Sequence, residues 1–152
     1  GPADSEARDE LQKLALEVGV EATFYEDVSD QTLVSLYNRS VCAVVAHILE
    51  PFGLVPLEAM ACGTAVVSVA EGGLRESVVD GVTGFLTQRD HAEFGAAIVR
   101  LLSDPALAAE MGRAGRQHVM ANWNWDRSIA QLESVLRSVA GATVDADNCS
   151  AA

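Results

Sequence analysis

From Phe52 to Ala70 the chain is apolar or small at every position except Glu58. Such a run has to form buried structure, and a carboxylate inside it is costly unless something polar meets it. Pro56 sets the local form, because proline inside a helix is tolerated mainly in the first turn, where its missing N–H would have had no partner. A helix is therefore expected from near Phe52 or Gly53 to about Cys62. Its free N–H groups and positive dipole end then face whatever Glu50 faces, which is the environment a phosphate group seeks. Gly53 lets a ligand approach the backbone closely.

On either side of this unit helix and strand alternate. Asp4 or Ser5 can cap a helix with Leu11, Leu14, Ala15 and Val18 at helical spacing and Gly19 as its stop. A short strand is expected at about Ala22 to Tyr25. Asp30 is the expected cap of the next helix, which carries Leu33, Val34, Leu36 and Tyr37. Ser40 to His47 and Thr64 to Ala70 are continuous apolar runs of the kind buried on both faces of a sheet. EGGLRESVVDGVTGFL reads as a glycine loop, a short helix, turns at Asp80-Gly81 and Thr83-Gly84, and a strand near Phe85 to Thr87. Asp90 and Glu93 have capping-box spacing ahead of the apolar face Phe94, Ala97, Ile98, Leu101 and Leu102. Pro105 opens a further helix, and Trp125, Ile129, Leu132, Leu136 and Val139 stripe a last one. Doubly buried strands alternating with helices imply an α/β, Rossmann-like parallel sheet with flanking helices, which binds ligands at the carboxyl ends of its strands. Glu50 and the Glu71-Gly72-Gly73 loop both follow strands and so share that edge.

Composition narrows the partners. A chain of 152 residues, 49% hydrophobic and 21% charged, has room for one domain. It contains no run suited to a membrane span or a secretory leader, which makes the cytoplasm the expected location. Cys42, Cys62 and Cys149 lack CxxC or metal-ligand spacing, so two are read as core residues, the third as a tail thiol, and no metal site is expected. The net charge of -12 argues against nucleic acid or an anionic membrane as partner. It also raises a difficulty, since a phosphate site ordinarily uses Arg or Lys and none occurs from Ser40 to Leu74.

EPFGLVPLEAMACGTAVVSVAEGGLRESVVDGVTGFL resembles the donor-binding segment of the retaining glycosyltransferases of family 4, built on the GT-B architecture, in which two glutamates are separated by seven residues. The resemblance extends more weakly from Asp9 to Trp125. It implies that Glu50 contacts hydroxyls of the transferred sugar and is the catalytic residue. The backbone around Phe52, Gly53, Leu54 and Val55 would meet sugar and diphosphate, and Glu58 would accept the ribose hydroxyls. Val28 would lie where the family holds the base, and Gly72 and Gly73 would line the sugar pocket. The physics is compatible: a carboxylate is a pure acceptor and suits a vicinal diol, while a diphosphate suits a helix N-terminus. His47, three residues before Glu50, either lines this site or is structural; His91 and His118 are read as surface residues.

The implied function is the donor half of a transferase moving a sugar from a nucleotide diphosphate-sugar to a hydroxyl acceptor with retention. No cofactor is implied beyond that donor. Residues 1–141 would form a partial nucleotide-sugar-binding domain and 142–152 a disordered tail. The family's diphosphate-neutralising arginine and lysine, two strands and the acceptor-binding domain would precede the first helix, so the isolated fragment is expected to be inactive. The incomplete sheet would either pair the 22–25 strand with the one ending at His47 or self-associate through its open edge. Alternatives are a non-catalytic nucleotide-sugar module, or a phosphorylase or epimerase relative. Glu58 could also be half of a buried ion pair, and for Gly81 and Gly84 plain turn formation is the favoured reading. Ala46-His47 stands where the family commonly has Pro-Ser.

Overall fold

The computed structural model describes residues 5–48 and 50–147, and side chains over 7–48 and 50–141. Asp4, the Gly1-Pro2 start and Cys149 fall outside them. The chain divides into two compact units, 1–36 and 37–152.

In the first unit, α1 (Ser5–Glu17) ends as its sequence suggests. Gly19 has φ 72°, and the Gly19 and Val20 N–H groups donate to the Leu16 and Ala15 carbonyls at 3.3 and 2.8 Å, the paired bonds that close a helix on a left-handed residue. Of the apolar positions in α1 only Ala15 is buried. The strand expected at 22–25 does not form; the segment is irregular and half-buried or exposed. A strand exists only through its ladder partner, and propensity in one segment cannot supply the second. The cap of α2 (Asp30–Arg39) is Ser29, not Asp30: the Ser29 hydroxyl accepts from the Thr32 N–H at 3.3 Å. Asp30 takes the first helical position, where its charge meets the dipole.

The second unit is built on a three-stranded parallel sheet, β1 (Cys42–Val45), β2 (Ala65–Val69) and β3 (Gly84–Thr87), in the order β1-β2-β3. Crossovers run through α3 (Leu54–Ala61) and the short α4 (Leu74–Ser77). Behind β3 follow α5 (His91–Ser103), α6 (Pro105–Asn122) and α7 (Trp125–Asp147). The last helix thus continues beyond Gly141 into the segment read from sequence as tail.

Every residue of β2 is buried. Val66 packs with Leu57, Ala59 and Met60 of α3 and with Leu74 and Val78, while Ala65 and Val67 pack with Leu101, Ala108 and Met111 of α5 and α6. Helices on both faces explain why β2 shows no polar alternation. β1 does not share this enclosure. It was expected to be buried on both faces, yet Val44 is 53% exposed and its ladder partner among the described strands is β2 alone. The described sheet consists of β1, β2 and β3.

The helix starts follow local chemistry. Asp90 Oδ1 accepts from the Ala92 and Glu93 N–H groups at 3.0 and 2.8 Å; Glu93 reaches back to the Gln88 N–H rather than to Asp90. Asp104 caps α6 through the Leu107 N–H, with Pro105 in its first turn. At the other end of α3 the Arg116 guanidinium donates to the Ala61 carbonyl, a cation placed against the negative end of the dipole. Among the described residues no helix is long and apolar enough to cross a membrane.

Candidate functional site

The carboxyl edge of the sheet gathers residues 46–48 and 50–53 after β1, 70–73 after β2 and 88–90 after β3. Parallel strands make this unavoidable, because every strand ends on the same side.

Glu50 occupies the entry to α3. Its Oε1 accepts from the Gly53 N–H at 3.1 Å and the Phe52 N–H at 3.4 Å, and Oε2 lies 3.4 Å from His47 Nδ1. These bonds, the Gly53 one foremost, hold the Glu50 carboxyl below the usual carboxylate range. Two N–H groups expected to face a ligand are therefore engaged by Glu50 itself. The helix proper begins at Leu54, so the Leu54 and Val55 N–H groups remain the first-turn donors without intrahelical acceptors, and Pro56 has none to offer.

Gly53 caps α3 with φ 84° and ψ 49°, a left-handed conformation that a side chain would strain. Gly72 and Gly73 have a packing role. A Cβ at Gly72 would stand 2.3 Å from the Glu50 carbonyl oxygen and one at Gly73 2.6 Å from that of Phe52. The Gly73 N–H donates to the Glu50 carbonyl at 2.8 Å. Ser77, fully buried, directs its hydroxyl at the Phe52, Gly53 and Gly73 carbonyls, at 3.1, 3.3 and 3.1 Å. Loop 50–53 and loop 72–77 are thus one interlocked piece.

Glu58 corrects the opening expectation. Pro56, Leu57, Ala59 and Met60 are buried, and Glu58 lies on the exposed face of α3. The apolar run fills three sides of the helix and leaves this one to solvent. Its polar partner is the Tyr37 hydroxyl, which donates to Glu58 Oε2 at 3.3 Å. Partial burial, then the Glu58 charge, push the Tyr37 phenol from 10.0 up to about 12. Leu54 and Glu58, one turn apart, border a groove of about 440 Å³ with Phe52, Trp123 and Trp125. The Phe52 and Trp123 rings meet edge to face at 5.6 Å. His118, read from sequence as a surface residue, is half-buried and accepts from Trp123 Nε1 at 3.3 Å.

Val28 lies in the first unit, half-buried, immediately after Asp27 with its φ of 48° and before the Ser29 cap. The structure therefore brings together Glu50, His47, Phe52, Gly53, Leu54, Val55, Glu58, Gly72 and Gly73 within the second unit, and describes Val28 in the other.

Sequence reasoning missed Arg89. Its guanidinium grips Glu71 with two bonds of 2.8 Å and donates to the Ala46 and His47 carbonyls at 3.2 and 2.9 Å. A signal was present: Arg89 stands two residues past a strand, on the edge that Glu50 and Glu71 share.

A profile of the family described as glycosyl transferases group 1 matches residues 1–118. The alpha-1,3/1,6-mannosyltransferase ALG2 of Mus musculus is 37% identical over 86% of this chain, and the match covers 32% of that relative. The solved structure of sucrose-phosphate synthase from Thermosynechococcus elongatus superposes with a TM-score of 0.78 at 36% identity, over 90% of this chain and 35% of that one. HepE (Alr3699) from Anabaena, solved in complex with UDP-glucose, gives a TM-score of 0.72 at 28% identity, over 90% of this chain and 38% of that one. The chain spans about a third of the length of these proteins. With the profile matching residues 1–118 and a relative 37% identical over 86% of the chain, the chain belongs to the glycosyl transferases group 1 family.

Proposed function

We propose that this chain is the donor-binding part of an enzyme that transfers a sugar from a nucleotide diphosphate-sugar, with retention at the anomeric carbon, to a hydroxyl acceptor. The observation that carries the reading is the placement of Glu50. A carboxylate kept ionised at the mouth of α3, beside the unengaged Leu54 and Val55 N–H groups, offers acceptors for sugar hydroxyls next to donors for a phosphate. Glu58, farther along the exposed face of α3, suits the ribose diol, and the complex of the Anabaena relative with UDP-glucose supports a donor of this type. Gly72 and Gly73 serve by holding the Glu50 loop close.

Titration of the chain with UDP and UDP-glucose, followed by ligand-observed NMR, tests this. Saturation transfer to both ribose and glucose protons, abolished for glucose alone in Glu50→Gln, is the expected outcome. Transfer to neither ligand overturns the reading.

A second reading, nucleotide-sugar binding without transfer, draws on Arg89: its charge is matched by Glu71 and is not available in full to a diphosphate. The exposed flank of β1 is proposed as a pairing edge for another strand, which sedimentation velocity across concentrations would reveal as self-association.

A further inference from the structure

We propose that Arg89 is a positioning residue for Glu50, tying the loop after β1 to the loop after β2 so that the Glu50 carboxylate is held at the start of α3. What Glu50 is held for rests on the donor-binding reading above; the holding itself does not.

Two routes connect Arg89 to Glu50. The first runs through His47, whose carbonyl, like that of Ala46, accepts from Arg89 at 2.9 and 3.2 Å respectively and whose imidazole lies 3.4 Å from Glu50 Oε2. The second runs through Glu71, held side-on by Arg89 Nε and Nη2 at 2.8 Å each, directly into Gly72 and Gly73, where the Gly73 N–H donates to the Glu50 carbonyl at 2.8 Å. From the end of β3, Arg89 thus spans β2 to reach β1.

Its hydrogen bonds go to Glu71 and to carbonyls, so it acts on Glu50 through other groups. The arrangement needs a guanidinium. A planar fork can take a carboxylate side-on and still present N–H groups to two carbonyls, whereas a lysine ammonium is a point charge on a flexible stem. Side-chain exposures of 41% for Arg89 and 29% for Glu71 make this a pair that fixes geometry more than it stabilises the fold. His47, whose imidazole lies 3.4 Å from Glu50 Oε2, belongs to the gripped segment and moves with it.

The test compares the unaltered chain with Arg89→Ala, Arg89→Lys and Glu71→Gln. The first readout is the Glu50 carboxyl titration by carbon-13 NMR. Loosening the loop lengthens the bonds from Phe52 and Gly53, so the midpoint is expected to rise toward the ordinary carboxylate range in Arg89→Ala, and Arg89→Lys is not expected to restore it. The second readout is affinity for UDP-glucose against UDP. Arg89→Ala is expected to weaken UDP-glucose about 10-fold, the kind of loss a small misplacement of an orienting group produces, with UDP little changed. An unchanged Glu50 midpoint overturns the proposal. Equal losses for both ligands with a lowered melting temperature also overturn it, since that is what a merely structural residue would show. If Arg89→Ala does not fold, Arg89→Lys and Glu71→Gln decide by the same two readouts. Should the unaltered chain bind neither ligand, the donor-binding reading fails while the Glu50 titration still decides the role of Arg89.

Discussion

Tyr37 and Glu58, far apart in sequence, meet through a hydroxyl-to-carboxylate bond of 3.3 Å that joins the last turn of α2 to the exposed face of α3. The same short span of α2 makes a second tie, the Thr64 hydroxyl donating to the Tyr37 carbonyl at 2.8 Å. Tyr37 is thus held by main chain and side chain at once. The folded phenol titrates at about 12 instead of 10.0, so its contribution to stability is complete below pH 10 and disappears as the pH rises through about 12. Phenolate absorbance recorded on the unaltered chain and on Tyr37→Phe should assign the late titration step to Tyr37. Tyr37→Phe should cost about 0.5–1.5 kcal/mol in denaturant unfolding at neutral pH, the net worth of one hydrogen bond.

Glu50 titrates in the opposite sense. Its pKa is depressed, so its contribution is present above the ordinary carboxylate value and is lost as the pH falls through the lowered one. Glu50→Gln should lower stability on the neutral side and flatten the acid side, so that the two profiles converge at low pH. Urea unfolding at a series of pH values checks this, and an equally steep acid side in the variant would mean the bonds to Phe52 and Gly53 do not set the titration.

Gly73→Ala places a methyl 2.6 Å from the Phe52 carbonyl oxygen, a backbone atom that cannot swing aside. The expected destabilisation is about 1–3 kcal/mol, as for other overpacked sites. Loop 50–53 should separate from loop 72–77, and exchange of the position-73 amide, which donates to the Glu50 carbonyl, should accelerate. Gly81→Ala is the control. It has open space around it but a φ of 72°, so it should show backbone strain without faster exchange at Gly73.

Met60 is fully buried between β2 and α6, where a Cβ at Gly115 would stand 2.8 Å from its Cγ. Met60→Ala leaves a cavity that α6 cannot close without moving against the sheet, and should cost about 2–5 kcal/mol by thermal or urea unfolding.

Donor affinity should be weak. Glu50 engages two of the N–H groups nearest the α3 start and Glu71 engages Arg89, so a diphosphate meets few unshared donors in a chain of net charge -12. A Kd of ~1 mM or weaker is expected, about 4 kcal/mol of binding. Glu58→Gln should weaken UDP a further ~10-fold, the loss of one charge-assisted bond. Saturation-transfer titrations measure both, and micromolar binding would show cations reaching the site that the charge pattern does not reveal.

Much of this was readable in the chain because it depends on near neighbours. Gly19 ending α1, Asp90 capping α5, Pro105 opening α6 and Pro56 in the first turn of α3 each depend on chemistry that acts within five residues. The unbroken apolar run of β2 likewise announced burial on two faces. What escaped was relational. Whether 22–25 forms a strand depends on a partner elsewhere, and whether Val44 is covered depends on what lies beyond β1. In a helix as short as α3, a single acid among apolar residues does not say which side faces water. Arg89 lay outside the motif because its partners Ala46 and His47 are remote in sequence and are met through carbonyls, which leave no trace in residue identity.

That choice of carbonyls has a consequence for variation. Arg89 recognises positions 46 and 47 by main chain, so any residue there that keeps the loop's path satisfies the same two bonds. Ala46 and His47 can therefore be exchanged for other side chains without releasing the loop, whereas Glu71 and Arg89, joined side chain to side chain, can only change as a pair. Within one clamp, two positions are left open to drift and two are tied to each other.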